Sequence, residues 1–217
     1  MKATNITKTY KNFTLNIPSL HLPPGRIYGI LGANGCGKST LLKLLTGLET
    51  PDQGHINWEG LTPQDITLVP QKPYLMETTV LKNLQYPLKI RKTTSPHIDK
   101  YLDLAGLTQL KNNYAPGLSS GEGQKLALIR AMIFDPKYIF IDETFSNMDT
   151  ESQLKFEAHI LKSPATYVII SHQLATIKRL CNHIIFMENG QITEAGAADE
   201  IFANPQSPGL QRFLQLH

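Results

Sequence analysis

The sequence predicts an α/β fold: a mainly parallel β-sheet covered by helices, with a helical insertion in the middle of the chain. Three observations carry this prediction. Short runs that are apolar at nearly every position, DITLVP (65–70), KYIFID (137–142) and TYVIIS (166–171), suit strands buried on both faces. A glycine-rich loop, GANGCGKST (32–40), separates an apolar run from a helical pattern. Between Lys72 and Pro136 the pattern turns helical, with no convincing strand.

Taken in order, NFTLNIPSL and RIYGIL read as strands, the second ending at Leu31 where the glycine-rich loop begins. Ser39 opens the helical run STLLKLLTGL, and Gly47 is placed to stop it. DITLVP is the next strand. VLKNLQYPL, HIDKYLDLAG and QKLALIRAMI follow as helices. The chain returns to the core at Lys137 with KYIFID and then TYVIIS. HIIFMENGQITEAG carries Asn189-Gly190 between two strand-like runs, a hairpin signal. The expected organisation is one domain over residues 1–217, with a core formed by 1–71 and 136–217 and a helical part at about 72–135.

Composition excludes several classes. A chain of 217 residues with 41% hydrophobic content buries a substantial core. A net charge of +3 calls for neither nucleic acid nor an anionic membrane as partner. Cys36 and Cys181 have no CxxC spacing, which fits a reducing cytoplasm better than a disulfide or zinc framework. The opening MKATNITKTYKNF lacks the apolar segment of a signal peptide, and no stretch approaches the ~18 apolar residues of a membrane span.

The chemistry starts at Gly32–Ser39, which matches G-x-x-x-x-G-K-[ST] at every fixed position. Glycines let backbone N–H groups turn inward around phosphate oxygens. Lys38 is suited to neutralise β- and γ-phosphates, and the Ser39 hydroxyl to ligate Mg²⁺. The helix that follows points its positive end at the anion. Asp142 ends an apolar strand, where a carboxylate can hold the Mg²⁺ shell. Glu143 comes next, and a carboxylate beside the γ-phosphate can polarise attacking water. His172 and Gln71 each follow a strand, on the side where doubly wound sheets bind ligands. Position alone does not separate these roles from structural or solvent-facing ones. The residues together describe a nucleoside triphosphatase.

LSSGEGQ (118–124) narrows the class. Ser119 and the small residues Ser120 and Gly121 expose N–H groups at a helix start, a second anion site. Ser119-x-x-Glu122 is also a capping box. GANGCGKST, LSSGE, YIFIDE, SNMD and IISH stand in the order and spacing of the ATP-binding-cassette (ABC) ATPase domain, and the chain resembles that family over essentially its whole length. The resemblance implies a P-loop NTPase core of RecA-like kind (Walker A loop included), an N-terminal antiparallel β subdomain and a helical insertion.

It also implies roles by position. Tyr10 matches the aromatic that stacks on adenine. Gly32, Ala33, Asn34, Gly35, Cys36, Gly37, Lys38, Ser39 and Thr40 form the ATP-binding loop. Gln71, Ser39 and Asp142 belong to the Mg²⁺ shell, with Gln71 also sensing the attacking water. Glu143 matches the catalytic base and His172 the switch histidine. Ser119, Ser120, Gly121 and Glu122 form a signature that serves the γ-phosphate bound by a second copy of the chain, and Ser146–Asp149 crosses that dimer interface. The implied partners are that second copy, a transmembrane permease docked near Gln71 on the stretch QKPYLMETTVLKNLQYPLK, and a substrate-binding protein. Nucleic acid is not among them. The implied location is the cytoplasm, peripheral on the inner face of the membrane. The helical stretch looks like that of bacterial importers, such as those for tungstate or molybdate. An exporter subunit or a soluble non-transport ATPase switch are the competing readings.

The sequence departs from the family pattern at three places. Ser120 replaces a signature glycine, and Thr144 stands where a proline commonly follows the catalytic Glu. Met148 replaces a common Leu. Cys36 occupies a variable loop position, and its alkylation is expected to block ATP binding.

Overall fold

The computed structural model describes residues 1–95 and 97–216. Two sheets organise the chain. The first is antiparallel, in the order β2-β1-β4, from β1 (Lys2–Tyr10), β2 (Phe13–His21) and β4 (Gln53–Asn57). The second has six strands in the order β5-β6-β7-β3-β8-β9. Its members are β3 (Ile27–Leu31), β5 (Ile66–Val69), β6 (Tyr138–Asp142), β7 (Thr166–Ile170), β8 (His183–Glu188) and β9 (Gln191–Ala197). All neighbours in it pair in parallel except β8 and β9, which form the hairpin. The turn of that hairpin holds Asn189 and Gly190 at φ 49° and 77°, the double positive φ that an Asn-Gly pair accommodates.

Every residue of β6 and β7 is buried, and the two faces of the sheet feed two cores. Ile139, Ile141, Tyr167, Ile169, Ile184 and Phe186 point into one, shared with the helices. Tyr138, Phe140, Val168, Ile170, Ile185 and Met187 point into the other, shared with the antiparallel sheet and α1 (Lys38–Leu45). This two-sided burial explains why the strands read as unbroken apolar runs rather than as alternating ones. Burying such a side chain fully contributes about 1.5–3 kcal/mol.

Among the described residues, 72–135 contain helices and one isolated bridge, Thr79 to Tyr114, and no strand. The α-helices there are α2 (Val80–Ile90), α3 (Ile98–Leu104) and α4 (Ser120–Met132), with short 3-10 turns at Thr108–Leu110 and Ala115–Gly117. α4 packs its buried Leu126, Leu128 and Ile129 into the helix-side core. α5 (Thr150–Lys162) and α6 (Leu174–Leu180) flank β7 in sequence. α7 (Ala198–Ala203) and α8 (Pro208–Gln215) end the chain. No helix among the described residues is long and apolar enough to cross a membrane. α1 begins one residue earlier than the pattern suggests, at Lys38, and ends at Leu45, with Gly47 at φ 73° just beyond it.

Because β3, β5, β6 and β7 run parallel, their C-terminal ends share one edge of the sheet. Gly32, Gln71, Glu143 and His172 all lie just past those ends. That edge is where open α/β sheets bind ligands.

Candidate active site

The loop between β3 and α1 wraps the start of the helix. Lys38, only 7% exposed, donates from Nζ to the carbonyls of Gly32 at 2.8 Å and Ala33 at 3.0 Å. The ammonium is thus held inside the loop's curve. Gly32 is required there: at φ 147°, a Cβ would stand 2.2 Å from the Met187 carbonyl oxygen. Asn34, Gly35, Gly37, Lys38, Ser39 and Thr40 line a cleft of about 180 Å³ together with Phe13 and Glu143. Larger concavities exist elsewhere, one of them under Tyr101 and Tyr167 at the other end of the strands. The small cleft is the one that joins a phosphate loop to a carboxylate, so chemistry rather than volume locates the site.

Glu143 sits at φ 50°, in the left-handed region uncommon for a residue with a side chain. Its N–H donates to the Ile170 carbonyl at 2.9 Å, fixing it against β7. Its two carboxylate oxygens have different partners. Gln71 Nε2 donates to Oε2 at 2.5 Å, and His172 Nε2 stands 2.5 Å from Oε1. The structure therefore brings Gln71, Glu143 and His172 together from the ends of three strands. Thr144 is fully buried, and its hydroxyl donates to the Asp142 carbonyl at 3.3 Å, a tie across Glu143 where a proline ring is absent.

Asp142 is 8% exposed, and its Oδ1 has no hydrogen-bond partner. Burial pushes its carboxyl above the usual range, while a hydrogen bond with Ser39 acts the other way. A buried carboxylate oxygen without a partner, beside a serine hydroxyl, is an all-oxygen donor pair. That suits Mg²⁺, which takes one or two protein oxygens and completes its shell with water and substrate phosphates. The residues present fit the ion.

Tyr10 lies on the rim. It is 40% exposed, stacks on Phe13 at 6.5 Å and hydrogen-bonds Glu49 through its hydroxyl. Phe13 faces Tyr10 across the β1–β2 turn. Phe13 is a lining residue beyond those expected from the motifs, and an aromatic directly across a tight hairpin from Tyr10 is the sequence signal for it. Cys36 points inward, 6% exposed, and burial raises its thiol above the ordinary range.

Ser119–Glu122 do not line this cleft. Ser119 caps α4, with both halves of the capping box formed: Ser119 N–H donates to Glu122 Oε2 at 2.9 Å, and Glu122 N–H to Ser119 Oγ at 3.3 Å. The Ser119 bonds hold the Glu122 carboxyl below its ordinary value. Ser120 is exposed at the tip. Gly121 packs against Asn147, in the loop that follows Glu143. The signature and that loop are thereby one local unit, joined further by Lys125 Nζ to Asp149 at 3.4 Å and to Ser152 at 3.2 Å.

A parallel sheet, a phosphate loop around a buried lysine and an acidic pair at the end of the next strand but one define a P-loop nucleoside triphosphatase. Comparison with known proteins narrows this. A family model described as ABC transporter matches residues 15–146. The tungstate uptake system ATP-binding protein TupC of Peptoclostridium acidaminophilum is 36% identical over 205 residues, which cover 88% of this chain and 96% of that protein. The methionine import ATP-binding protein MetN 1 of Salmonella typhimurium is 32% identical over 241 residues, covering 99% and 70%. A solved ATP-binding subunit of an ABC transporter superposes with a TM-score of 0.88 at 21% identity, covering 99% of this chain and 98% of that one. A nucleotide-free ATP-binding cassette gives 0.79 at 26% identity, covering 98% and 97%. The chain belongs to the ABC transporter family and is an ATP-binding, ATP-hydrolysing member of it.

Proposed function

We propose that the chain is the ATPase subunit of an importer, that it closes head to tail with a second copy around two Mg-ATP, and that it drives a separate membrane permease for an oxyanion. The observation that carries the ATPase mechanism is the clamp on Glu143 by Gln71 and His172 at the open edge of the phosphate loop. In this reading Lys38 and the loop N–H groups bind the phosphates and Tyr10 packs on the adenine. Ser39 and Asp142, with Gln71 near, would hold Mg²⁺, which when bound would neutralise phosphate charge. Glu143 accepts the proton of the attacking water, His172 orients that carboxylate, and Gln71 reports the state of the site to the helical region. Ser119–Glu122 present the start of α4 to the γ-phosphate held by the other copy. Loss of that phosphate removes the bridge, and the pair opens.

Support for a membrane partner comes from a groove between the core and the helical region. Leu68, Pro70, Tyr74, Tyr86, Ile90 and Phe134 line it, with Tyr74 73% and Ile90 58% exposed. Arg130 braces its wall by donating to the Tyr74 carbonyl at 2.7 Å and to Asn83 at 3.1 Å. Pro70, just past β5, lines the groove and Gln71 is the next residue, so in this reading the partner senses the nucleotide through Gln71. Support for an importer of an oxyanion comes from TupC, named for tungstate uptake and matched over 96% of its length. The location that follows is the inner face of the membrane, with a substrate-binding protein on the far side.

The test is to tag the chain in its native cell, extract it in mild detergent and identify what co-purifies, then measure tungstate and molybdate uptake in a strain lacking it. Recovery of a multi-spanning protein and loss of oxyanion uptake support the reading. Recovery with soluble proteins alone contradicts it.

A further inference from the structure

Where α5 meets α6, the chain buries a polar cluster that apolar packing does not require. Phe156 and Ile160 on α5 and Ile177 and Leu180 on α6 already belong to one core. Yet Gln153 is 7% exposed, Glu157 4% and Thr176 fully buried. Gln153 Nε2 donates toward Glu157 Oε1 at 2.9 Å, Gln173 Oε1 at 3.0 Å and Thr176 Oγ1 at 2.6 Å. The Thr176 hydroxyl donates to Gln173 Oε1 at 3.0 Å. Arg179 closes the cluster with two bonds to Glu157, at 2.8 and 2.7 Å.

Replacing a buried ion pair with well-packed apolar residues is often neutral or stabilising, so stability alone does not explain such a cluster. A satisfied polar network does fix one geometry. Here the geometry fixed is that of His172. Gln173 follows His172 directly and stands at the N-cap of α6, but its side chain does not cap that helix. It turns back to Gln153 instead. Gln153 lies one turn into α5, whose N-cap, Asp149, is the end of the loop leaving Glu143. The chain thus makes a closed ring: Glu143, the 144–149 loop, α5, Gln153, Gln173, His172 and back to Glu143 at 2.5 Å.

We propose that Gln153 is a positioning residue for ATP hydrolysis, holding His172 against Glu143 through Gln173. The proposal rests on the reading of His172 as the residue that orients Glu143. It goes beyond that reading by naming what holds His172.

The experiment compares the full chain with Gln153→Leu, His172→Ala and the double variant. A small misplacement of a positioned group costs about ten- to a hundredfold in rate. Gln153→Leu is expected to lower kcat about tenfold, with the KM for ATP within twofold. The ring ¹⁵N signals of His172, assigned by their absence from His172→Ala, are expected to shift in Gln153→Leu while those of His21 and His55 stay in place. In the His172→Ala background, Gln153→Leu is expected to change kcat less than twofold. Unmoved His172 signals overturn the proposal, as does an equal loss of kcat in both backgrounds. If His172→Ala hydrolyses ATP at the unaltered rate, the reading of His172 itself fails and the proposal with it. Should Gln153→Leu fold poorly, Gln173→Ala cuts the same link from an exposed position and is read in the same way.

Discussion

Gly121→Ala tests whether the signature and the loop after Glu143 act as one unit. Gly121 is the second residue of α4, and a Cβ added there would stand 2.6 Å from the Asn147 carbonyl oxygen. Carbon and carbonyl oxygen normally meet no closer than roughly 3.3 Å, so one of the two segments has to move by about 0.7 Å. The atom met is backbone, so no side-chain rotation relieves the clash. Overpacking of this kind costs about 1–3 kcal/mol. Exchanging glycine for alanine in a helix returns up to ~1 kcal/mol. The net loss is about 1 kcal/mol, a fall of roughly 2–4 °C in Tm for a chain of this size. The rate is expected to fall further, because the moved segment is either the loop attached to Glu143 or the helix start that, in the proposed function, meets the second nucleotide. We expect kcat to drop about tenfold. Ser120→Gly, one residue away and exposed, is the control: it restores the common signature and should leave kcat equal or higher. Thermal unfolding and steady-state ATPase assays on both variants decide the matter. A Gly121→Ala variant with unchanged Tm and unchanged kcat refutes the coupling.

Three further outcomes are expected. Ser119→Ala removes both Ser119 side-chain bonds to Glu122 and should cost about 1 kcal/mol by thermal unfolding. Burial opposes ionisation of Glu157, but bonds from Arg179 and Gln153 outweigh it and hold the carboxyl below its ordinary 4.5. A depressed carboxylate stabilises the fold above that ordinary value and ceases to as pH falls through its lowered native value. Glu157→Gln should therefore lower Tm at pH 7 and flatten the decline of Tm below about pH 4.5, since it abolishes that titration. Alkylation of Cys36 should abolish binding of a fluorescent ATP analogue, and it should be slow at pH 7, faster at pH 9 and suppressed by ATP, because the thiol is buried inside the loop and its ionisation is disfavoured. Alkylated protein with normal nucleotide affinity contradicts this.

The parallel sheet was legible because β6, β7 and β8 are buried on both faces, and two-sided burial writes an unbroken apolar run. The hairpin was legible because Asn189-Gly190 satisfies a backbone demand few other pairs meet. β4 was not, since QGHIN is polar and mostly exposed and is held by pairing with β1. α5 and α6 were missed for a related reason: part of their buried face is the polar cluster around Gln153, which breaks the apolar periodicity. In the site, the order of motifs singled out Gln71, Glu143 and His172, but not the contacts among them. Nor did it show that Thr144 ties Asp142 through a hydroxyl, or that Gly121 faces Asn147. Those facts depend on residues distant in sequence and on backbone positions that composition does not encode.

We propose Glu143 as the base that activates water on ATP bound between two copies of this chain. Glu143→Gln keeps the shape of the side chain and removes its ability to take a proton. The measurement is ATP hydrolysis by this variant, with its size followed by light scattering in Mg-ATP. General-base catalysis contributes about 10²–10⁴ in rate. Normal ATP binding, a loss of kcat of at least a hundredfold, and accumulation of a dimer that dissociates when ATP is removed are expected. Hydrolysis near the unaltered rate contradicts the role of Glu143, and a variant that binds ATP without hydrolysing it yet stays monomeric contradicts the shared site.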